Sequence, residues 1–295
     1  MPIEKVSFTQ VLKSVDNMKR SLEENYNYTI HPESALGSCI NATQNICDAY
    51  KRKELFLTDK YIEFFDKMHL CRVVSEAFLT FKNDPQFIEK FKLLFKDRLT
   101  VDILDHSRSR NTFFEYVVAL MFNKMGCKVK FAEPDIIVEI TYDNRNRNFA
   151  IACKVIESQS NLQKELSDAK NQIQRTPTAL SLIKGIIALD ISNIYKNDIL
   201  RERNFPDEMS LKNIVINKLS SFLKENKITF EKYKKYNKIL GIFLFGLYTT
   251  WIEEHSSPNA VLGVQMSFNG YRSEGSPYIA ALKSKMSRLF DNWTF

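Results

Sequence analysis

Four polar residues in the middle of this chain stand in an order that could do chemistry on a phosphate. Glu115 falls in an apolar helical stretch, Asp135 follows Pro134 at the start of an apolar strand, Lys154 closes a second strand, and Gln172 lies on a polar helix beyond it. Hard cations such as Mg²⁺ take oxygen ligands, one or two carboxylates with water completing the shell. A cation so held polarises a phosphate and makes water a nucleophile near neutral pH. A lysine beside it positions the water or offsets charge on the phosphate. Two residues before Lys154, on the same face of that strand, stands Ala152. A methyl neither ligates a metal nor accepts a proton.

Side chains alternate along a strand, so Asp135, Ile137 and Glu139 share one face. On the next strand Ala150, Ala152 and Lys154 share a face, while Ile151, Cys153 and Val155 point the other way; Cys153 is therefore expected in the core. A lysine on an apolar strand is costly to bury without a partner, so Lys154 either serves a site or ends a strand at solvent. Thr112-Phe113-Phe114-Glu115 fits a capping box, with Thr112 as N-cap, and a cap would explain Glu115 without any metal. Leu162, Leu166, Ala169 and Ile173 form a buried helical stripe, with Glu165, Ala169 and Gln172 along a neighbouring face. Gln172 then belongs to the site or to the surface. Lys164, Lys170 and Arg175 flank it, on a solvated face or a nucleic-acid contact.

The elements that must position these residues are legible from periodicity. Residues 1–105 read as successive helices, a separate lobe or a cover on a sheet. Asp84-Pro85 is a helix start, followed by Phe87, Phe91, Leu94 and Phe95 at helical spacing. Tyr61, Phe64, Phe65 and Met68 make a similar stripe. From 106 to 295 the pattern is mixed α/β (α+β). A helix over 112–125 ends at Gly126. Strands are expected at 128–131, 135–142, 149–156 and 185–191. The polar turn Asp143–Asn148 makes the middle two a hairpin. A helix over 161–175 precedes the fourth strand, a crossover that implies parallel pairing. Beyond it lie a helix at 210–224, strands at 239–248 and 260–267, and a helix at 276–290.

The bulk numbers narrow the function classes. Only 8 Gly and 8 Pro in 295 residues argue against a loop-rich sandwich. The net charge of +7 suits a polyanion partner, or a lysine-rich surface kept for solubility. Five Cys without a C-x-x-C pair and four isolated His argue against a zinc site. The residues from Met1 to Lys5 lack a signal-peptide layout. The longest apolar run, Ile239 to Trp251, is too short to span a bilayer. A cytoplasmic protein with no membrane partner is expected. No G-x-x-x-x-G-K-[ST] loop is present, so an NTP-driven step would need a helicase or ATPase partner.

Taken in order, these residues resemble the PD-(D/E)xK nuclease superfamily, the restriction-endonuclease-like fold, over about residues 110–192. The chain looks most similar to a subgroup with a helix Glu, "EPD" before a strand, "ECK" on the next, "A-x-x-Q" on a helix and a strand like "GIIALDIS". Here these read Glu115, Glu133-Pro134-Asp135, Ala152-Cys153-Lys154, Ala169-Lys170-Asn171-Gln172 and Gly185 to Ser192. The resemblance implies a mixed sheet flanked by helices, and a Mg²⁺- or Mn²⁺-dependent endonuclease cutting DNA in a prokaryotic restriction or anti-phage setting. It implies metal binding by Asp135, the acid missing at Ala152, and the Cys153 main-chain carbonyl, with support from Glu115. It assigns water activation to Lys154 and the site's edge to Gln172. A homodimer would cut both strands.

Ala152 leaves three readings: a deliberate acid-to-Ala change that disarms the site, an acid that has migrated to Glu165 or Glu139, or a fold that only binds nucleic acid or a partner. In the last case the run Lys232-Tyr233-Lys234-Lys235-Tyr236-Asn237-Lys238, and Lys283, Lys285 and Arg288, would carry the binding, since tyrosines among lysines can stack bases. The same run also reads as a solvated helix face.

Overall fold

Caps and apolar stripes set five helices in the N-terminal part: α1 (Phe8–Tyr26), α2 (Ala35–Lys51), α3 (Asp59–Phe81), α4 (Pro85–Phe91) and α5 (Leu93–Lys96). The computed structural model describes residues 8–52, 59–96, 108–176, 184–195, 204–252, 257–268 and 276–290. The side chains of Tyr61, Phe64, Phe65 and Phe95 lie outside what is described. Asp84 caps α4 as expected, its Oδ1 accepting the N–H groups of Gln86 and Phe87. Its Oδ2 accepts the Phe131 N–H at 2.9 Å. One carboxylate thus ties the start of α4 to the first strand of the sheet.

Then come α6 (Arg108–Lys124), β1 (Lys128–Phe131), β2 (Ile136–Tyr142) and β3 (Arg145–Val155). A short 3₁₀ turn (Gln159–Asn161) leads into α7 (Leu162–Arg175), followed by β4 (Lys184–Asp190) and β5 (Asn204–Phe205). The chain closes with α8 (Glu208–Glu225), α9 (Lys227–Lys234), β6 (Ile239–Ile252), β7 (Ser257–Phe268) and α10 (Pro277–Phe290). Gly126, at φ +71°, ends α6 with Gly126 N–H on Asn123 O and Cys127 N–H on Phe122 O, the left-handed stop that glycine allows without a Cβ clash.

The strands form one mixed sheet in the order β1-β2-β3-β4-β6-β7. β5 pairs with the last two residues of β6, on the edge that β4 occupies further back. β2 is antiparallel to β1 and β3, and β3 and β4 are parallel across the α7 crossover, as expected. The hairpin is tighter than the polar run suggested. Tyr142 pairs with Arg145, leaving only Asp143 and Asn144 in the turn. Both have positive φ, the two-residue geometry that matches strand twist and that Asp and Asn tolerate. β3 therefore starts four residues earlier than its apolar part.

Alternation along β3 separates two cores. Ile151 and Cys153 face the layer formed by α1–α6 and α10. Ala152 faces α7, α8 and α9, together with Ile187, Leu189 and Leu244. The N-terminal helices join the first core through rings: Phe87 lies 5.0 Å from Tyr116 on α6 and 5.2 Å from Phe131 on β1. The molecule is a mixed α/β structure with helices on both faces of the sheet. Among the described residues no helix is long and apolar enough to cross a membrane.

Candidate functional site

Glu115 is not a cap. α6 begins at Arg108, a full turn before Thr112, so Thr112 lies inside the helix and cannot serve as its N-cap. Free of that role, Glu115 turns inward from the second turn of α6 and is only 7% exposed. A carboxylate so buried needs a partner, and it has one. The Lys90 Nζ, from α4, lies 2.5 Å from Glu115 Oε2 and 3.6 Å from Asp135 Oδ1.

Asp135 stands just before β2, at the point where the ladder ends. Ile136 opposite Ile151 is the last β2–β3 pair, so Asp135 lies one residue beyond the ladder. Asp135 is buried, and its Oδ2 accepts the Cys153 N–H at 2.8 Å. That bond also orients the peptide. The N–H and C=O of one strand residue point to the same edge, and neighbouring residues point to opposite edges. Ile156 donates across to Asp190 on the β4 side. Lys154 shares that edge, and the Cys153 carbonyl points to the other, toward Asp135.

The electrostatics follow from burial. Desolvation pushes the Glu115 carboxyl up to about 7, the Asp135 charge adds to the rise, and Lys90 opposes it. Desolvation likewise raises Asp135, against Lys90 and the Cys153 N–H. For Lys90 burial works downward, but Glu115 and Asp135 outweigh it and the net shift is up. Lys154 eases the load on both acids through its charge. The Cys153 thiol is raised by burial and by the two acids, so it stays protonated and acts as core, as expected from alternation.

The structure therefore brings Glu115, Asp135, Cys153 and Lys154 together at the C-terminal end of β3. In open α/β sheets that end of the parallel strands is where ligands bind. Ala152 adjoins them, but its methyl is fully buried in the α7-side core. Gln172 stands on α7, on that same side. Its Oε1 is buried with no hydrogen-bond partner, and no hydrogen bond joins it to the acids. Glu139 is taken by Lys128 at 2.9 Å, four residues along β2 from Asp135. Glu165 opens α7, with its carboxylate 4.0 Å from Lys164 Nζ. Among the described residues no group of three or more His, Cys, Asp and Glu side chains is placed to hold a metal.

The residues present still fit a hard divalent cation in part. Two carboxylates converge on one point, a backbone carbonyl turns toward the same edge, and an ammonium already sits between the acids. Mg²⁺ asks for few protein oxygens beyond that.

Two contributors escape sequence reading. Lys90 pairs across 25 and 45 positions, and on its own helix it is one more polar residue beside Phe87 and Phe91. Arg110 is the other, its Nη2 3.4 Å from Asp190 Oδ2 at the end of β4. Ser192 donates to Asp190 through both its N–H and its hydroxyl, and its Oγ accepts the Leu247 N–H at 2.8 Å. This second buried pair fixes α6 against the strand ends beside the acids. No protein-family model and no curated protein matches this sequence.

Proposed function

We propose that this chain has the architecture of a restriction-endonuclease-like nuclease of the PD-(D/E)xK type, with its hydrolytic site at Glu115, Asp135 and Lys154 lacking one acid at Ala152. The observation that carries it is the convergence of Glu115 with Asp135 from separate elements, at the C-terminal end of the strand bearing Lys154. The element order supports it too: helix, antiparallel hairpin, crossover helix and parallel strand present Glu115, Asp135, Lys154 and Gln172 in turn.

A Mg²⁺ or Mn²⁺, when bound, supplies positive charge against a phosphate and lowers the pKa of water. Asp135 and Glu115 would hold it, with the Cys153 carbonyl as a third oxygen. Lys154 places an ammonium beside the acids, where it can orient a water or meet phosphate charge. Asp135 is pre-set by the Cys153 N–H, and the Arg110–Asp190–Ser192 cluster keeps α6 in place beneath Glu115. DNA is the proposed substrate, in a defence or restriction setting.

The test compares this chain with Ala152→Glu on supercoiled plasmid and single-stranded DNA, with Mg²⁺, Mn²⁺ or EDTA. Metal-dependent cutting by the Ala152→Glu form alone is the expected outcome. Cutting by neither form counts against a nuclease and favours a second reading, a module of the same fold that binds nucleic acid without cutting it. That reading has its own support. Ala152 is packed as an ordinary core residue, and cations line the α7–α9 face, where Lys170 sits 4.9 Å over the exposed Tyr236 ring.

A further inference from the structure

We propose that Lys90 is the built-in counter-ion of the acid pair, holding the place of the divalent cation, so that a metal binds Glu115 and Asp135 only by displacing it. The inference rests on the metal-site reading above and adds a residue from outside the motif.

Three observations carry it. First, the Lys90 ammonium is in contact with both acids at once, 2.5 Å from Glu115 Oε2 and 3.6 Å from Asp135 Oδ1, and 3.5 Å from the Asp135 carbonyl. A cation shared by two carboxylates and a backbone oxygen occupies the point where a metal would sit, and two cations cannot share that space. Second, its helix is anchored. Asp84 caps α4 with one oxygen and holds the Phe131 N–H with the other, and Phe87 and Phe91 pin the helix's buried side. Lys90 is therefore delivered to the acids by a fixed element and not by a loose chain end. Third, its side chain is 26% exposed, on a helix whose neighbouring Gln86 and Glu89 are at the surface. A change of rotamer carries the ammonium to water without moving α4.

The exchange is simple in charge. Lys90 leaves with one positive charge and a divalent cation enters with two, so the acids end better neutralised than before. Until then they are satisfied without metal, which prevents two buried like charges from opening the site.

The test uses Mn²⁺ alone as the probe, followed by the electron paramagnetic resonance signal of free Mn²⁺, on the whole chain and on Lys90→Met. Binding about tenfold tighter in Lys90→Met is expected, because a competing charge has been removed from contact range. Binding that is unchanged or weaker overturns the proposal. A second measurement needs no variant: mild reductive methylation with mass spectrometry on the unaltered chain. Lys90 should gain reactivity as Mn²⁺ is added; constant labelling of Lys90 up to saturating Mn²⁺ overturns displacement. Asp135→Asn separates this idea from the one beneath it. Mn²⁺ binding that Asp135→Asn abolishes but Lys90→Met leaves unchanged defeats the role of Lys90 alone. Binding indifferent to Asp135→Asn, or absent from every form, defeats the metal site and the proposal with it.

Discussion

Glu115 shows what one residue's sequence neighbourhood hides. Thr112 three positions before it is a capping signature, and only the helix start at Arg108 removes that explanation. Its burial has a consequence for stability. The folded carboxyl titrates at about 7, above its ordinary 4.5. Between those values the folded protein keeps a proton that the unfolded chain has released, so the stabilising contribution is complete below about 4.5 and lost by about 7. Relative to Glu115→Gln, the chain should lose up to about 3 kcal/mol as pH rises through that window. Urea denaturation of both forms at several pH values measures it, and a difference that stays flat with pH would contradict the assignment. Asp135 and Lys154 are legible together, because one precedes an apolar strand and the other interrupts one. Lys90 was not, because its partners are remote in sequence.

At the scale of elements, the α7 crossover positions the Lys154 strand against β4, and a single glycine sets how closely it packs. A Cβ on Gly185 would lie 2.3 Å from the Ile173 Cγ2, far inside van der Waals contact. Gly185→Ala should therefore cost about 1–3 kcal/mol by overpacking. Ile173→Ala alone should cost about 2–5 kcal/mol by leaving a cavity. The double variant should cost less than the sum, since each change relieves the other. A double-mutant cycle by urea denaturation checks this, and strict additivity would mean that α7 moves away from β4 freely. The crossover, the hairpin and the Asp84 cap were all legible locally, because each rests on spacing or on a turn residue. β5 and α9 are not legible in this way. β5 is two residues long and is defined only by its pairing with β6. The lysines at the end of α9 continue into a charge run that hides the helix.

For the whole molecule, the surface charge has a direction. Lys170, Lys184 and Lys238 gather along α7 and the turn after α9. Lys238 Nζ lies 3.2 Å from the Gln174 carbonyl, and Lys184 Nζ 3.2 Å from that of Asn237. The 14 residues of α7 span about 21 Å, from the Lys154 end of the sheet to its far end. If the net +7 serves a polyanion, duplex DNA binding should weaken with salt, with a log–log slope of about −0.9 per phosphate contact. Lys170→Glu with Lys238→Glu should flatten that slope. Fluorescence anisotropy across a salt series reads both, and salt-independent binding would assign the charge to solubility.

The amino-acid sequence by itself determined every strand but β5, the hairpin, the crossover, and Asp135 and Lys154 as charges beside apolar strand residues, because period, turn chemistry and an out-of-place charge are local properties. Only the tertiary structure decided that Glu115 is buried and paired rather than a cap, that Glu139 pairs with Lys128 and Glu165 lies beside Lys164, and that Lys90 and Arg110 complete two buried ion pairs. Those facts depend on which elements meet at one end of the sheet, and close contacts between distant segments leave no period in the chain.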